Sequence, residues 1–240
     1  MDTPAPTQGN LALVIGASGA IGAALLAELQ QSGGFAQVLG LSRRSTPALD
    51  ITDESAVQTA AAHVAGLQRD QGLAIKLVID ATGMLHSPTH QPEKSWTQID
   101  PQQMAHAFAI NTIGPALLMK HFLPLLPRQG RSVFASLSAK VGSIGDNRLG
   151  GWYSYRASKA ALNQLVRTAA IELQRRAPGA ICVALHPGTV DSALSRPFAK
   201  TGLQVRSPQE AAQCLLAVVV GLRAADNGKF FSYDGDELPW

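Results

Sequence analysis

A tyrosine and a lysine stand one helical turn apart in the segment GWYSYRASKAAL, which covers residues 151–162. Because Tyr155 and Lys159 are four residues apart, their side chains would lie close together on one face of a helix. The ordinary pKa of a tyrosine is about 10, and a neighbouring cation favours the ionised phenol. We therefore interpret Tyr155 and Lys159 as a candidate acid/base pair, and we expect Lys159 to lower the pKa of the Tyr155 phenol.

The chain as a whole has the size and composition of one α/β domain. It has 240 residues, of which 46% are hydrophobic and 15% are charged, and its formal net charge is +3. The charge is small and scattered, which argues against nucleic acid and favours a small-molecule substrate. No apolar run reaches the roughly 20 residues of a membrane-spanning helix, so we expect no membrane partner. We predict a flexible tail over residues 1–10 and a single domain over 11–240, located in the cytoplasm.

Apolar runs of strand length alternate with helical patterns along the chain. The predicted strands are 11–15, 35–41, a short strand before 49, 74–80, 131–136, 179–186 and 228–233. This alternation is typical of a parallel sheet with helices on both faces. We predict an α/β fold, namely a single-domain doubly wound (Rossmann) parallel sheet of about seven strands. Ligands of such sheets bind beyond the carboxyl ends of the strands, so we expect chemistry in the irregular segments 83–100, 139–151 and 187–207.

A glycine-rich segment, VIGASGAIGAAL, joins the first predicted strand to a helix at residues 14–25. Glycines there let the backbone turn sharply and approach a pyrophosphate, whose charge meets the free amides of the helix N-terminus. Glycines also close ordinary strand-to-helix turns, but the strand before and the helix after this segment favour a dinucleotide site. The predicted contacts are Gly16, Ser18, Gly19, Ala20, Ile21 and Gly22.

Two arginines follow the second predicted strand, where an acidic side chain would hold the ribose of NAD. The sequence there is Ser42, Arg43, Arg44. Arginine binds phosphate, whereas a carboxylate repels it, so we expect the 2′-phosphate of NADP(H) to be preferred over NAD(H). The alternative is that both arginines are solvated loop charges.

Two further segments are predicted to approach the dinucleotide because of their positions. Asp50 and Ile51 are placed to reach the adenine ring, although Asp50 is equally suited to a turn or a helix cap. Ala81, Thr82 and Gly83 directly follow the strand 74–80. We expect no metal site, because Pro88 separates His86 from His90 and no third ligand is close in sequence.

The chain resembles the short-chain dehydrogenase/reductase family over essentially its full length. The resemblance is carried by six segments in order: G-A-S-G-A-I-G from Gly16, D-A-T-G from Asp80, N-T-I-G-P from Asn111, S-L-S from Ser136, Y-R-A-S-K from Tyr155 and H-P-G-T-V-D-S from His186. Within the family the chain is most similar to the carbonyl-reductase-like branch that includes the C-factor and sniffer proteins. The segments GSIGDNRLGGWYSYRASKAALN and FFSYDGDELPW carry this narrower likeness.

The resemblance implies roles for particular residues. Tyr155 would be the general acid/base, Lys159 would bind the nicotinamide ribose, and Ser138, rather than Ser136, would donate a hydrogen bond to the substrate oxygen. Asn111 would open its helix to a water that relays protons to Lys159, although it could also be an ordinary hydrogen-bonded interior asparagine.

The same resemblance extends to the segment after the sixth predicted strand, 179–186. Pro187, Gly188, Thr189 and Val190 would contact the nicotinamide, together with Ser192, which stands where the family commonly has threonine. Residues 187–207 would form a lid over the substrate.

These observations predict an NADP(H)-dependent oxidoreductase that interconverts a carbonyl and an alcohol by hydride transfer. The expected partners are a small-molecule carbonyl or alcohol and further copies of the chain in a homodimer or homotetramer. The alternative is a signalling or regulatory protein that binds a dinucleotide on the same fold and turns it over only incidentally.

Overall fold

A six-stranded parallel sheet runs through the centre of the protein. The structure is a computed structural model that describes residues 9–193, 195–198 and 205–240. In chain order the strands are β1 (Gly9–Ile15), β2 (Gln37–Leu41), β3 (Leu73–Asp80), β4 (Ser132–Leu137), β5 (Ala180–His186), β6 (Thr189–Val190), β7 (Val205–Arg206) and β8 (Phe230–Ser232). The main sheet has the order β2-β1-β3-β4-β5-β8, and β6 pairs with β7 in a separate two-stranded sheet.

Helices cover both faces of the main sheet. They are α1 (Ala20–Ser32), α2 (Glu54–Gln71), α3 (Pro101–Phe108), α4 (Gly114–Phe122), α5 (Tyr153–Arg176) and α6 (Pro208–Gly221). Successive strand residues point to opposite faces: in β1, Leu11 and Leu13 belong to the core shared with α2, α4 and α5, whereas Ala12 and Val14 belong to the core shared with α1 and α6. The predicted doubly wound α/β fold is confirmed. In the described part of the chain, no helix is both long and apolar enough to cross a membrane.

Side-chain caps mark the start of three helices, α2, α3 and α6. The Asp53 side chain accepts a hydrogen bond from the Ser55 amide at the start of α2, and Ser207 and Glu210 form a reciprocal capping box at the start of α6. Helix α5 differs, because Trp152 stands at its cap position and supplies no side-chain hydrogen bond.

The main sheet has six strands, slightly fewer than the predicted number of about seven. The short strand expected before residue 49 does not form, because residues 42–49 bond to one another: the amides of Ser45 and Leu49 both donate to the Ser42 carbonyl. The Ser45 hydroxyl also lies within hydrogen-bond distance of Ser42 O and Pro47 O, at 2.7 Å from each, so this backbone is used in a local turn.

Two predicted boundaries also change. Strand β1 begins at Gly9, inside the predicted tail, of which residues 1–8 lie outside the described chain. The predicted irregular segment 187–207 contains the paired strands β6 and β7, while its residues 194 and 199–204 lie outside the described chain.

The sheet reverses its winding direction at β1, which lies between β2 and β3. Such a switch point opens a crevice beyond the carboxyl ends of the strands. Here the Gly16 amide donates to Leu41 O at 2.8 Å and the Ala81 amide donates to Ile15 O at 2.8 Å. The ends of β1, β2 and β3 are thereby tied together at the base of one cleft.

Candidate active site

The glycine turn after β1 is closed so tightly that Gly16 and Gly22 cannot be replaced without movement of the backbone. Gly16 has φ +83°, a conformation that favours glycine, and a Cβ on Gly22 would lie 2.2 Å from Gly16 O. Helix α1 then begins behind Gly19, which offers no side-chain cap, and its first turn carries no acidic residue. Because the first-turn amides have no side-chain partner, they are available to an anion such as a pyrophosphate.

The glycine turn opens into a cleft of about 730 Å³. The predicted cofactor residues that line it are Gly16, Ser18, Gly19, Ser42, Arg43, Asp50, Ile51, Ala81, Thr82 and Gly83. Ala20, Ile21, Gly22 and Arg44 are not among the lining residues. Sequence reasoning missed Ser87, Pro88 and His106, which also line the cleft and come from two different segments. The donor set, a free helix N-terminus with polar and basic side chains, fits a dinucleotide.

The two arginines after β2 occupy different positions. Both are exposed, and neither forms an ion pair within the described residues. Arg43 lines the cleft, whereas the Arg44 amide donates to the Ser42 hydroxyl and its side chain lies away from the lining. Arg43 is therefore the better placed of the two to meet a phosphate in the cleft.

Asp50 combines the two roles considered for it. One oxygen, Oδ1, accepts hydrogen bonds from the Thr52 amide at 2.9 Å and the Thr52 hydroxyl at 2.7 Å. The bond from the Thr52 amide is the main reason that the Asp50 pKa is lowered, with a contribution from Arg43. Asp50 is thus a turn residue that also faces the cleft as a carboxylate.

Helix α5 places Lys159 at the carboxyl end of β4. The side chain is only 2% exposed, and its ammonium donates to Leu137 O at 2.8 Å. Burial lowers the pKa of Lys159 to about 8, and the carboxyl group of Asp80 opposes that shift. Gly142 makes this packing possible, since a Cβ there would lie 2.7 Å from Lys159 Cβ.

Asn111 lies in a π-helical turn, Ala109–Ile113, between α3 and α4. Its Oδ1 accepts a hydrogen bond from the Met84 amide at 2.8 Å, and its Nδ2 donates to Met84 O at 2.8 Å and to Ser158 Oγ at 3.1 Å. Asn111 thereby ties the loop after β3 to α5. Asn111 is therefore an interior, hydrogen-bonded asparagine, as one of the two interpretations of the sequence expected. Single π turns of this kind are often found at functional sites.

The environment of Tyr155 acts opposite to the sequence-based expectation. Burial raises the pKa of the Tyr155 phenol well above its ordinary value. Lys159 does not offset this, since its ammonium bonds to Leu137 O and the carboxyl of Asp80 lies in its field. Without a bound cofactor, Tyr155 is therefore a neutral phenol at physiological pH. In this protonation state it can donate a proton. Its ring lies edge-on to Trp152, with centroids 6.2 Å apart.

The two candidate serines around the end of β4 have separate surroundings. Ser136 lies within the strand and its hydroxyl donates to Asp80 Oδ2 at 3.1 Å. Ser138 lies just beyond the strand, is 4% exposed, and donates its hydroxyl proton to Asn163 Oδ1 at 2.6 Å. Asn163 was not indicated by the sequence reasoning, although it stands four residues beyond Lys159 on α5.

Asp80 is a second buried group that connects the strands to the candidate catalytic residues. It is 1% exposed, its Oδ1 accepts from the Thr82 amide and hydroxyl, and its Oδ2 accepts from Ser136. Burial raises the pKa of Asp80, while these hydrogen bonds and Lys159 lower it.

Glu93 supplies the cap that α5 lacks locally. This carboxylate is 2% exposed, and both of its oxygens accept from the Ser154 amide, at 3.3 and 3.2 Å. The Ser154 hydroxyl also donates to Glu93, and the Trp152 amide donates to Glu93 O at 2.5 Å. A carboxylate at a helix N-terminus is favourable, so Glu93 fixes the turn that carries Tyr155. Sequence reasoning missed Glu93 because it lies 61 residues from Ser154.

The predicted nicotinamide residues lie beside the small sheet. Gly188 has φ +77°, and a Cβ there would lie 2.9 Å from the Tyr233 ring and 3.0 Å from the Arg206 guanidinium. Arg206 stacks on Tyr233 at 3.6 Å. Thr189 and Val190 pair with β7, the Ser192 hydroxyl contacts that of Ser195, and Pro187 is half-buried. None of these five lines the cleft around the glycine turn.

The histidines of the loop after β3 bond within the protein. His86 Nε2 lies 3.0 Å from Ala193 O, and His90 Nδ1 lies 2.9 Å from Thr89 Oγ1. Among the described residues, no group of three or more His, Cys, Asp or Glu side chains is arranged to hold a metal ion.

Comparisons with known proteins agree with this architecture. A family model described as enoyl-(acyl carrier protein) reductase matches residues 18–215. The chain is 37% identical over 142 residues to C-signal of Myxococcus xanthus, covering 59% of this chain and 81% of that protein. It is 29% identical over 198 residues to a 1-hydroxy-2-glutathionyl-2-methyl-3-butene dehydrogenase of Rhodococcus sp. (strain AD45), covering 81% and 79%.

Two solved structures share the fold over nearly the whole chain. An NADPH-bound carbonyl reductase from chicken fatty liver has a TM-score of 0.81 at 26% identity, covering 98% of this chain and 99% of the other. Carbonyl reductase Sniffer of D. melanogaster has a TM-score of 0.79 at 22% identity, covering 98% and 100%. The expected likeness to the C-factor and sniffer branch is confirmed, and the chain belongs to the short-chain dehydrogenase/reductase family.

Proposed function

We propose that the protein is an NADP(H)-dependent oxidoreductase that reduces the carbonyl group of a small molecule to an alcohol, or catalyses the reverse reaction. Tyr155 is the acid that protonates the substrate oxygen, Lys159 stabilises the resulting phenolate, and Ser138 orients the oxygen. The nicotinamide, when bound, supplies or accepts the hydride.

One observation carries the proposal, namely the position of Gly83 between the two parts of the site. Gly83 lines the dinucleotide cleft. A Cβ on Gly83 would lie 3.4 Å from Lys159 Nζ and 3.5 Å from Asn111 Oδ1. A dinucleotide that follows the cleft from the glycine turn would therefore reach the residues that hold and move protons.

The protonation states at this point suit reduction. The half-buried Tyr155 phenol, with its raised pKa, is neutral at pH 7 and has a proton to give. Lys159, with its pKa lowered to about 8, still carries its proton at pH 7 and can stabilise the negative charge that forms when the phenol gives up its proton.

The preference for NADP(H) is supported by Arg43. This exposed guanidinium lines the cleft, and the turn after β2 supplies no carboxylate to bind the ribose hydroxyls of NAD. The carbonyl reductase from chicken fatty liver, which shares the fold, is described with NADPH bound.

The test is loss of NADPH absorbance with a panel of aldehydes, ketones and quinones. We expect turnover of at least one class, and Tyr155→Phe should lower kcat by about 10²- to 10⁴-fold while NADPH binding persists. Tyr153→Phe, which changes the neighbouring tyrosine, is the matched control and should leave kcat within about twofold. Absence of NADPH binding, or full activity of Tyr155→Phe, would refute the proposal.

A second candidate function has one observation in its favour, the 37% identity with C-signal. In this alternative the protein binds a dinucleotide and signals to a partner, and turnover is incidental. The same variant separates the two: if a deletion phenotype in the host is rescued by Tyr155→Phe as well as by the wild type, the signalling function is the physiological one.

A further inference from the structure

Asn163 extends the row of functional side chains on α5. Tyr155, Lys159 and Asn163 follow one another at four-residue intervals, so they share one helix face. Asn163 is 3% exposed, and its Oδ1 accepts the Ser138 hydroxyl proton at 2.6 Å. The backbone of Ser138 is fixed independently, because its amide donates to Leu185 O at 2.7 Å. The Asn163 amide is therefore the described group that determines where the Ser138 proton points.

This arrangement conflicts with the role proposed for Ser138. A serine hydroxyl has one proton, and if Asn163 takes it, Ser138 presents only lone pairs to the site. A substrate carbonyl oxygen, itself an acceptor, could then gain no hydrogen bond from Ser138.

The nitrogen of the Asn163 side-chain amide, Nδ2, allows a second arrangement in which Ser138 keeps its proton for the substrate. Asn163 Nδ2 is buried and has no hydrogen-bond partner among the described residues. Unpaired buried N–H groups are rarer than under-satisfied carbonyls. Turning the amide by 180° exchanges its two ends, so that Nδ2 would donate to Ser138 Oγ after the two atoms separate to about 2.9 Å, and the carbonyl would become the under-satisfied group.

We propose that Asn163 is a positioning residue that switches Ser138 between hydrogen-bond acceptor and donor by turning its amide. With Nδ2 toward Ser138, the serine proton is free to point at the substrate oxygen. The proposal rests on the proposed reductase function. No proton is transferred between Asn163 and Ser138 in this step, because only the hydrogen bonds exchange direction.

Two substitutions of Asn163 should lower kcat by different amounts. Asn163→Leu leaves Ser138 without an orienting partner, and kcat for reduction should fall about tenfold, the effect of losing about 1.4 kcal/mol. Asn163→Asp supplies only acceptors when its carboxyl is ionised, which holds the Ser138 proton away from the substrate. At a pH where this carboxyl is ionised, kcat should fall about 100-fold, as when a donor to the substrate oxygen is removed. A purely structural role predicts instead that each loss of kcat is accompanied by a matching loss of stability, because an unpaired carboxylate is costly at this buried position.

A double substitution keeps the test decisive if Asn163→Asp fails to fold. In a Ser138→Ala background, Asn163→Leu should change kcat less than about twofold, because its effect acts through the missing hydroxyl. Gln164→Leu, which removes the next amide on the exposed face of α5, is the control and should match the wild type.

The outcomes separate the two proposals. Effects of Asn163→Leu and Ser138→Ala that multiply, or an Asn163→Asp variant that folds and reduces faster than Asn163→Leu, would overturn the role of Asn163 while leaving the reductase function intact. A wild type that binds NADPH and reduces nothing would instead refute the reductase function. The melting temperature and NADPH dissociation constant of each variant, measured alongside, show whether a loss of kcat reflects the site or the fold.

Discussion

The two ends of the site, the phosphate end and the chemical end, are built from different kinds of groups. The phosphate end consists of backbone amides, close-packed glycines and the exposed Arg43, and few of its side chains bond to one another. The chemical end consists of buried polar side chains, such as Asp80, Asn111 and Lys159, that hydrogen-bond across strands and helices. Substitutions at the phosphate end should therefore change cofactor affinity, while those at the chemical end should change turnover.

The largest effect at the phosphate end is expected for Gly22→Ala. The new methyl group would lie 2.2 Å from Gly16 O, so the turn must move. Overpacking of this kind costs about 1–3 kcal/mol, and we expect the NADPH dissociation constant to rise about tenfold or more in a fluorescence titration, with kcat at saturating NADPH nearly retained.

Gly34→Ala provides the matched control for this prediction, since its nearest contact would be Ser32 Oγ at 3.7 Å. Equal NADPH affinity in the two glycine variants would mean that the turn does not bind the cofactor. If Gly22→Ala lowered kcat and left NADPH affinity unchanged, the two ends of the site would not have the separate roles described above.

A smaller effect of the opposite kind is expected for Glu93→Ala at the chemical end. Removing the carboxylate leaves the Ser154 amide and hydroxyl buried without their partner, at about 1–3 kcal/mol. We expect kcat to fall about tenfold and the melting temperature to drop, while the NADPH dissociation constant stays within about twofold.

Glu93→Gln sharpens this prediction, because its amide oxygen still accepts hydrogen bonds, so kcat should recover in part. Glu172→Ala, at an exposed position on α5, serves as control. A Glu93→Ala variant with normal kcat would show that the cap does not hold Tyr155 in place.

The smallest effect is expected for Arg43→Ala. The ratio of NADPH to NADH affinity should fall about fivefold, the size of an exposed charge pair, and the effect should weaken as salt rises. Arg44→Ala is the paired variant, and because Arg44 does not line the cleft its ratio should change less. Tighter binding of NADH than NADPH by the wild type would contradict the role of Arg43.

The difference between the two ends also explains how much the sequence could predict. The glycine turn and the Tyr155–Lys159 spacing are local patterns, and the doubly wound fold follows from the alternation of apolar runs. The contact of Glu93 with Ser154 joins residues 61 positions apart, and that of Ser138 with Asn163 joins residues 25 apart. Only the packing of the chain brings such pairs together.

The sequence predicted a lowered pKa for Tyr155, and this direction was wrong because the responsible contacts also come from distant parts of the chain. The sequence places a cation one turn from the phenol, but it does not reveal the burial of the ring, the bond from Lys159 to Leu137 O, or the carboxylate of Asp80. Asn163 was not predicted, although it has a local signal in the sequence: it continues the four-residue spacing of Tyr155 and Lys159.

The central claim is that Tyr155 donates a proton with the support of a charged Lys159, and the pH dependence of reduction tests it most directly. Lys159 keeps its proton below its pKa of about 8, so kcat/KM for the carbonyl should be flat around neutrality and fall as pH rises through that region. Because Asp80 raises the pKa of Lys159, Asp80→Asn should move this fall to lower pH. A rate that rises through pH 8, or a profile that Asp80→Asn leaves in place, would contradict the account.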